Sequence, residues 1–566
     1  MRLPTRIATR TAGPTPANAG TDFMETPFVS YFDYTRFPPL LPALDQGVEG
    51  ARHPVVIAGG GPIGFALALG LARHGVRSVV LEADDSVCIG SRAGCVTRRT
   101  LEIFDQLGMA EPVMRQGLPW SEGWSYFRTT EIFHLRMPVD AQAKFPSLVN
   151  IQQCYVEQFL LDEIARHPEL IEVRWQSRVL GLTEKTDGVE IAVGTPLGEY
   201  RLHADWLVAA DGARSTVRKA LDLRFVGTRY EGRYVIVDIR MKSDLPAGRR
   251  AWFDPPSNPG ATLLLHKHRD DLWRFDYQLR DDEDADDAVK PANVLARVQS
   301  HLTLMGEHNP WQPVWISMYA ASCLTLEKYR HGRVLLAGDA AHLVPIFGVR
   351  GMNSGIDDAH NLAWKLAHVI KGLASDALLD SYTEERLFAM RENMRHASKS
   401  CEFMAPPSAA FKVMRAAVLG LAERHEWVRS LVDPRQSTAI GYPHSRLNCA
   451  DDPGFGAGPG PGANLPDAPV AAGGPHLSTL LGPRFCALVF DKTGAAELNG
   501  IEHGGAALRV LRLGLDGPAA QRLVALPGSV YLVRPDGHVL ARWRRPDRNA
   551  VRRALAHCCA GAPGCA

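Results

Sequence analysis

The chain has 566 residues, 22% charged and 46% hydrophobic, with a formal net charge of +1. Such a length exceeds one hydrophobic core and suggests roughly three or four units. The near-neutral balance offers no electrostatic attraction to nucleic acid or an anionic membrane, and no apolar run approaches the roughly eighteen uncharged residues of a spanning helix.

Residues 1–50 read as an N-terminal extension. Arg2, Arg6 and Arg10 without an acid before position 20 superficially resemble a transit peptide. Lacking an amphipathic pattern, the segment reads instead as a partly disordered leader or as sequence upstream of a start at Met24. The aromatic, proline-rich stretch 28–41 suits an extended arm laid on the domain surface or on a neighbouring subunit.

Val55, Val56, Ile57 and Ala58 form an apolar run suited to a buried strand, GxGxxG follows at Gly59, Gly61 and Gly64, and 65–73 opens a helix. Gly59 permits the tight turn, Gly61 lets backbone approach a pyrophosphate, and Gly64 lets helix pack on strand. The phosphates would then sit on helix N-terminal N–H groups. A strand at 78–81 ends at Glu82, where a carboxylate suits a ribose 2′-OH. Taken alone, this signature fits NAD as well as FAD.

Arg92 is a candidate partner for cofactor phosphates through bidentate guanidinium bonds, and an amphipathic helix at 97–107 closes at Gly108. Gln153 stands at the start of a helix with Phe159, Leu160, Leu161 and Ile164 on one side, its polar residues facing the cofactor. A buried strand at 207–210 ends at Asp211 and Gly212. The runs 234–240, 262–267 and 272–279, with 120–150, read as sheet strands, and the acidic 281–287 as a solvated loop. Gly338-Asp339-Ala340-Ala341-His342 and Gly351-Met352-Asn353-Ser354-Gly355 complete a third signature. Three glycine-bearing signatures in this order point to FAD.

Helices continue to about 431, a Gly/Pro-dense linker occupies 451–469, and strand-like runs stand at 485–490 and 529–533. Ten cysteines occur without CxxC spacing, so neither a disulfide framework nor a redox pair is expected, and a reducing cytoplasm fits. His557, Cys558, Cys559 and Cys565 lack any usual zinc spacing, so no metal is expected.

The order GxGxxG, Asp211-Gly212-Ala213-Arg214-Ser215, Gly338 to His342, then Pro345, Gly348, Gly351, Asn353 and Gly355 resembles the class A flavin-dependent aromatic hydroxylases, the group of p-hydroxybenzoate hydroxylase and phenol hydroxylase. The resemblance covers roughly 50–400 and is most similar, through 229–238, to the 3-(3-hydroxyphenyl)propionate hydroxylase branch. It implies an α/β fold in which a Rossmann-like FAD-binding domain (51–230 and 321–450) carries an inserted β-sheet substrate domain (231–320, with a contribution from about 120–150). A C-terminal thioredoxin-like domain (470–566) without CxxC would serve structure or a homodimer contact.

The resemblance further implies that FAD is held by Gly59, Gly61, Gly64, Glu82, Arg92, Gln153, Asp211, Gly338, Asp339, Gly351, Met352 and Asn353. Asp339 would meet the ribityl chain, Asp211 and Gly212 would also border the nicotinamide approach, and Pro345 would lie over the flavin. The helix after Gly351 would point its positive end at flavin N1 and the C2 oxygen. Arg350 stands where many relatives have Gln, either adding positive charge near the ring or pointing to solvent.

The implied activity is hydroxylation of a small phenolic substrate with NADPH or NADH and O2 through a flavin C4a-hydroperoxide. Alternatives are tailoring of a polycyclic aromatic natural product and a non-catalytic flavoprotein. Electrophilic oxygen transfer gains from deprotonating the phenol, and Asp276, with His266 and Arg274 on neighbouring sheet positions, is the expected substrate-activating group.

Overall fold

The computed structural model describes residues 28–345, 347–432, 438–490, 498–504 and 506–561. The first twenty-seven residues, including the expected leader and Met24, and Cys565 lie outside the described residues.

A nine-stranded sheet forms the first layer. Four of its strands run parallel in the order Gly198–Ala209, Val48–Ala58, Ser78–Leu81, Ile171–Arg174, and Val334–Leu336 joins the far side of Gly198–Ala209, also in parallel. Val55 to Ala58 are fully buried because helices cover such a sheet on its faces, which is why the sequence there is continuously apolar and not alternating. The helix Pro62–Arg73 packs against Gln153–Ile164 and against the twenty-residue helix Gly351–Ile370.

An eight-stranded sheet lies beside it, in the order His342–Leu343, Trp311–Thr325, Val226–Met241, Leu272–Gln278, Thr262–Lys267, Arg249–Phe253, Glu122–Phe127, Thr130–Arg136. Period-two alternation sorts its side chains. Val235, Val237, Leu263, Leu265, Trp273, Phe275 and Tyr277 form one core with residues of the helix Pro291–Leu304. The intervening Asp238, His266, Arg274 and Asp276 therefore face the other way. Register places His266 opposite Arg274, Arg274 opposite Asp238, and Asp238 opposite Trp315, so one row of chemically capable side chains crosses four strands. The fold is thus mixed α/β with several sheets.

Past the helix Asp380–Met404 the chain reaches a four-stranded sheet in the order Arg509–Arg512, Cys486–Phe490, Ser529–Val533, Val539–Trp543. Residues 451–469 wrap this sheet: Leu465 and Ala468 enter its core, and Leu465 N–H donates to Gly537 O. His557 bonds the Arg446 carbonyl, and Cys558 and Cys559 are buried. The arm at 28–41 lies on the same chain. Val29 N–H donates to Pro313 O, Phe37 N–H to Asp85 O, and the Phe37 ring stacks on Trp175 at 4.5 Å. Among the described residues no helix is long and apolar enough to cross a membrane.

Candidate active site

Close approaches between glycines bring the three signatures together. A Cβ on Gly64 would strike the Gly59 carbonyl, one on Gly59 would strike Ala210 beside Asp211, and one on Gly338 (φ 55°) would stand 3.0 Å from Ile63. A Cβ on Gly355 would meet Ile63 and Gly338 together. Strand ends, turn and long helix therefore meet at one cleft. Gly61 is different, because its Cβ would find nothing nearer than Glu157 Oε1 at 4.0 Å. Protein packing does not demand that glycine, whereas a pyrophosphate lying on the loop does.

The helices Pro62–Arg73 and Gly351–Ile370 both begin at the cleft with no side-chain cap and no acid in the first turn. Uncapped first-turn N–H groups attract anions or polarised oxygens. Asp339 is exposed at its surface, yet the surrounding protein pushes its carboxyl pKa upward against the opposing pull of His342 and Arg92. Asp211 Oδ2 caps the next helix by accepting from Thr216 and Val217 N–H at 2.7 and 3.2 Å, while its buried Oδ1 has no partner among the described residues. The donor set, the open Gly61 and the orphaned Asp211 oxygen fit a dinucleotide such as FAD.

Several residues expected at the cofactor also make bonds within the protein. Glu82 accepts Gly60 N–H at 2.6 Å and Asp84 N–H at 2.8 Å, so its carboxylate first stiffens the glycine loop. Gln153 accepts Ala93 N–H at 3.2 Å and donates to Glu157 at 2.7 Å, fixing the segment that follows exposed Arg92. The Met352 side chain is buried in the core of the first sheet, leaving its backbone to face the cleft.

Asn353 spends its whole amide on protein. Oδ1 accepts from Thr97 N–H (2.9 Å) and the Thr100 hydroxyl (2.6 Å), and Nδ2 donates to Cys95 O (3.1 Å) and Val349 O (3.0 Å). It clamps the 95–100 segment to the turn before the long helix, where β-branched Val349 is held at φ 60°, a backbone costing roughly 1–3 kcal/mol. Arg350 neither points to solvent nor caps the helix; it is buried and donates to Asn393 at 3.0 Å. Pro345 is buried.

On the sheet face, Asp276 is buried with its Oδ2 3.6 Å from His266 Nδ1. Burial lowers the His266 pKa, and Asp276 pulls it back up, so the imidazole is set toward its neutral form beside a carboxylate. Arg274 is a bridge: Nε donates to Asp238 at 3.0 Å and Nη1 to the Arg92 carbonyl at 2.7 Å, tying the sheet to the cleft loop. Its Nη2 and the neighbouring His268 Nδ1 are buried without partners among the described residues, and both side chains press on Gly94.

Sequence reading missed His268 and Glu157. Glu157 accepts Cys88 N–H at 2.6 Å, and its pKa is raised to about 7 by burial, with the Glu82 charge adding to it. Its place one helical turn after Gln153 was the available signal. A cavity of about 1270 Å³ borders Thr97 and Arg350 and continues past Leu135, Ile440 and Asp467. Asp276, His266, Arg274 and Pro345 do not line it.

Residues 52–397 match the FAD binding domain family. The chain is 31% identical over 332 residues to a 3-(3-hydroxy-phenyl)propionate/3-hydroxycinnamic acid hydroxylase of Mycolicibacterium smegmatis, covering 59% of this chain and 58% of that protein. It is 30% identical over 545 residues to the 6-methylpretetramide 4-monooxygenase of Streptomyces rimosus, covering 88% and 92%. In fold it is similar to the crystal structure of the flavin-dependent monooxygenase PieE in complex with FAD and substrate, with TM-score 0.74, 22% identity and coverage of 90% and 98%.

Proposed function

The chain belongs to the FAD-binding family that includes flavin-dependent hydroxylases and monooxygenases, and from that premise we propose that it hydroxylates a phenolic ring with NAD(P)H and O2. The overall change is ArH + O2 + NAD(P)H + H⁺ to ArOH + NAD(P)⁺ + H2O. When bound, FAD would supply the redox chemistry that links NAD(P)H oxidation to oxygen transfer.

The protein groups have separable tasks. Gly61 and the first turn of Pro62–Arg73 would receive the pyrophosphate, Arg92 would add positive charge there, and Asp339 would accept from the sugar chain. The uncapped first turn of Gly351–Ile370 would favour negative charge on a bound flavin, an effect worth up to about 2 kcal/mol in partly buried settings. Asp276, poised by His266, takes the phenolic proton or holds the hydroxyl and so enriches the ring in electrons. Pro345 would help to close the site around a bound flavin. We read the C-terminal sheet with its helix as a thioredoxin-like unit without redox chemistry, because the Cys486 thiol is buried and pushed up to about 12.

The convergence of all three glycine signatures on one cleft, with the Asp276–His266 pair on the adjoining sheet, carries this reading. A polycyclic substrate is the second reading. Arg274 is already neutralised by Asp238 and so is a weak anchor for a substrate carboxylate. The relative matching nearly the full length of both chains is named for a pretetramide. A panel of simple and polycyclic phenols, scored for stimulated NAD(P)H consumption and product mass, tests the proposal; absence of stimulation by every member argues for an idle flavoprotein.

A further inference from the structure

Four charges with no solvent exposure join the C-terminal unit to the long helix of the cleft. Arg534 donates to both Glu385 oxygens at 2.6 and 2.9 Å and also pairs with Asp536. Lys365, on the long helix, meets the same Glu385 at 2.7 Å with both side chains wholly buried. Asp536 accepts from Trp364 Nε1 at 3.0 Å and from Asn361 Nδ2 at 3.3 Å, both also on that helix. Its own carbonyl receives Arg99 at 2.8 Å.

The network continues to the cofactor loop. Arg386, the neighbour of Glu385, donates to Asp358 at 2.6 Å, and Asp358 accepts Gly338 N–H at 3.0 Å, next to Asp339. Apolar contacts tolerate sliding, but a neutral set of two cations and two anions in a dry interior does so poorly, since any shift leaves a charge unpaired.

We propose that the turn at Arg534, Pro535, Asp536 and Gly537 is a positioning device for the flavin: it fixes the rotation and axial position of helix Gly351–Ile370, and with them the stance of the first-turn N–H groups toward the ring. This rests on the reading that the helix N-terminus faces the flavin. Arg534 and Asp536 are positioning residues, acting through the helix and touching no substrate.

The test uses full-length apoprotein titrated with FAD, followed by the midpoint potential of the bound flavin. Asp536→Asn keeps shape and removes a charge. Trp364→Phe removes one N–H donor and keeps ring packing. Arg542→Met breaks the Arg542–Asp451 pair inside the C-terminal unit without touching the helix, and serves as control. The expected result is an FAD Kd raised on the order of tenfold in Asp536→Asn, less in Trp364→Phe, a lowered flavin potential in both as the helix end loses alignment, and neither change in Arg542→Met. Wild-type Kd and potential in folded Asp536→Asn overturn the proposal, as does an equal effect in Arg542→Met. If Asp536→Asn does not fold, an unchanged Trp364→Phe overturns it. Failure of the wild-type apoprotein to take up FAD would instead remove the flavin reading itself, and the proposal with it.

Discussion

Asn353 Oδ1 accepts the Thr97 N–H at 2.9 Å, and through this contact two segments far apart in sequence become the two walls of one cleft. With its three companion bonds it also holds the strained turn at Val349. Replacing Asn353 by Ala would leave buried donors and acceptors unpaired at about 1–3 kcal/mol each. Asn353→Ala should lower the thermal midpoint and the flavin content of the purified protein together, measured by differential scanning fluorimetry and visible absorbance. A variant with a lowered midpoint and full flavin content would show that the clamp serves stability alone.

Gly61→Val and Asp339→Ala should each lose most of the FAD while remaining folded. The first blocks approach of the pyrophosphate at a position where the protein itself leaves room; the second removes an acceptor for the sugar chain. Absorbance near the flavin bands, normalised to protein, reports both, and full occupancy in both would sink the cofactor assignment.

Glu157 gives a pH dependence with a defined sign. Its pKa is raised from 4.5 to about 7, so the folded protein favours the neutral acid. Its contribution to stability is intact below pH 4.5 and is lost as pH rises toward about 7, a change on the order of 3 kcal/mol. Glu157→Gln should match wild type at acidic pH and be the more stable at pH values above that window. The ionised carboxylate also repels a pyrophosphate, so wild-type FAD affinity should weaken as pH rises through about 7, and the Gln variant should show a flat profile. A flat wild-type profile contradicts the proposal that a pyrophosphate on the Gly61 loop lies near Glu157.

Asp276→Ala should retain FAD and still consume NAD(P)H, but release hydrogen peroxide, with kcat for hydroxylation falling on the order of a hundredfold. His266 stands 3.6 Å from Asp276, so His266→Ala should show the same defect more weakly, acting through orientation of the carboxylate. The ratio of product to NAD(P)H consumed separates the cases: unchanged coupling in Asp276→Ala removes it from the mechanism, and collapse only in His266→Ala transfers the role to the histidine.

The parts of this site legible in the sequence were those fixed by local backbone chemistry. The turn at Gly59 to Gly64, the strands on either side of it and the alternation at 272–279 follow from short-range rules, and the structure places them as expected. Side-chain roles set by distant partners were not legible. Arg274 reads in sequence only as a strand residue near the substrate, whereas its bonds to Asp238 and the Arg92 carbonyl depend on segments far away in the chain. The side-chain amides of Asn353 and Gln153 bond protein groups that no local pattern announces. His268 and Glu157 carried no motif, because their significance comes from burial and from what folds beside them. The charges at 534–536 and 385 are unremarkable until the fold buries them together.

The most direct test of the central claim is the mass of the product formed from a stimulating phenol under isotopically labelled dioxygen with NAD(P)H and the FAD-loaded protein. The expected result is one labelled oxygen in the aromatic ring per product molecule. A product carrying oxygen from water, or NAD(P)H consumed with no ring oxygenation by any phenol that binds, would contradict it.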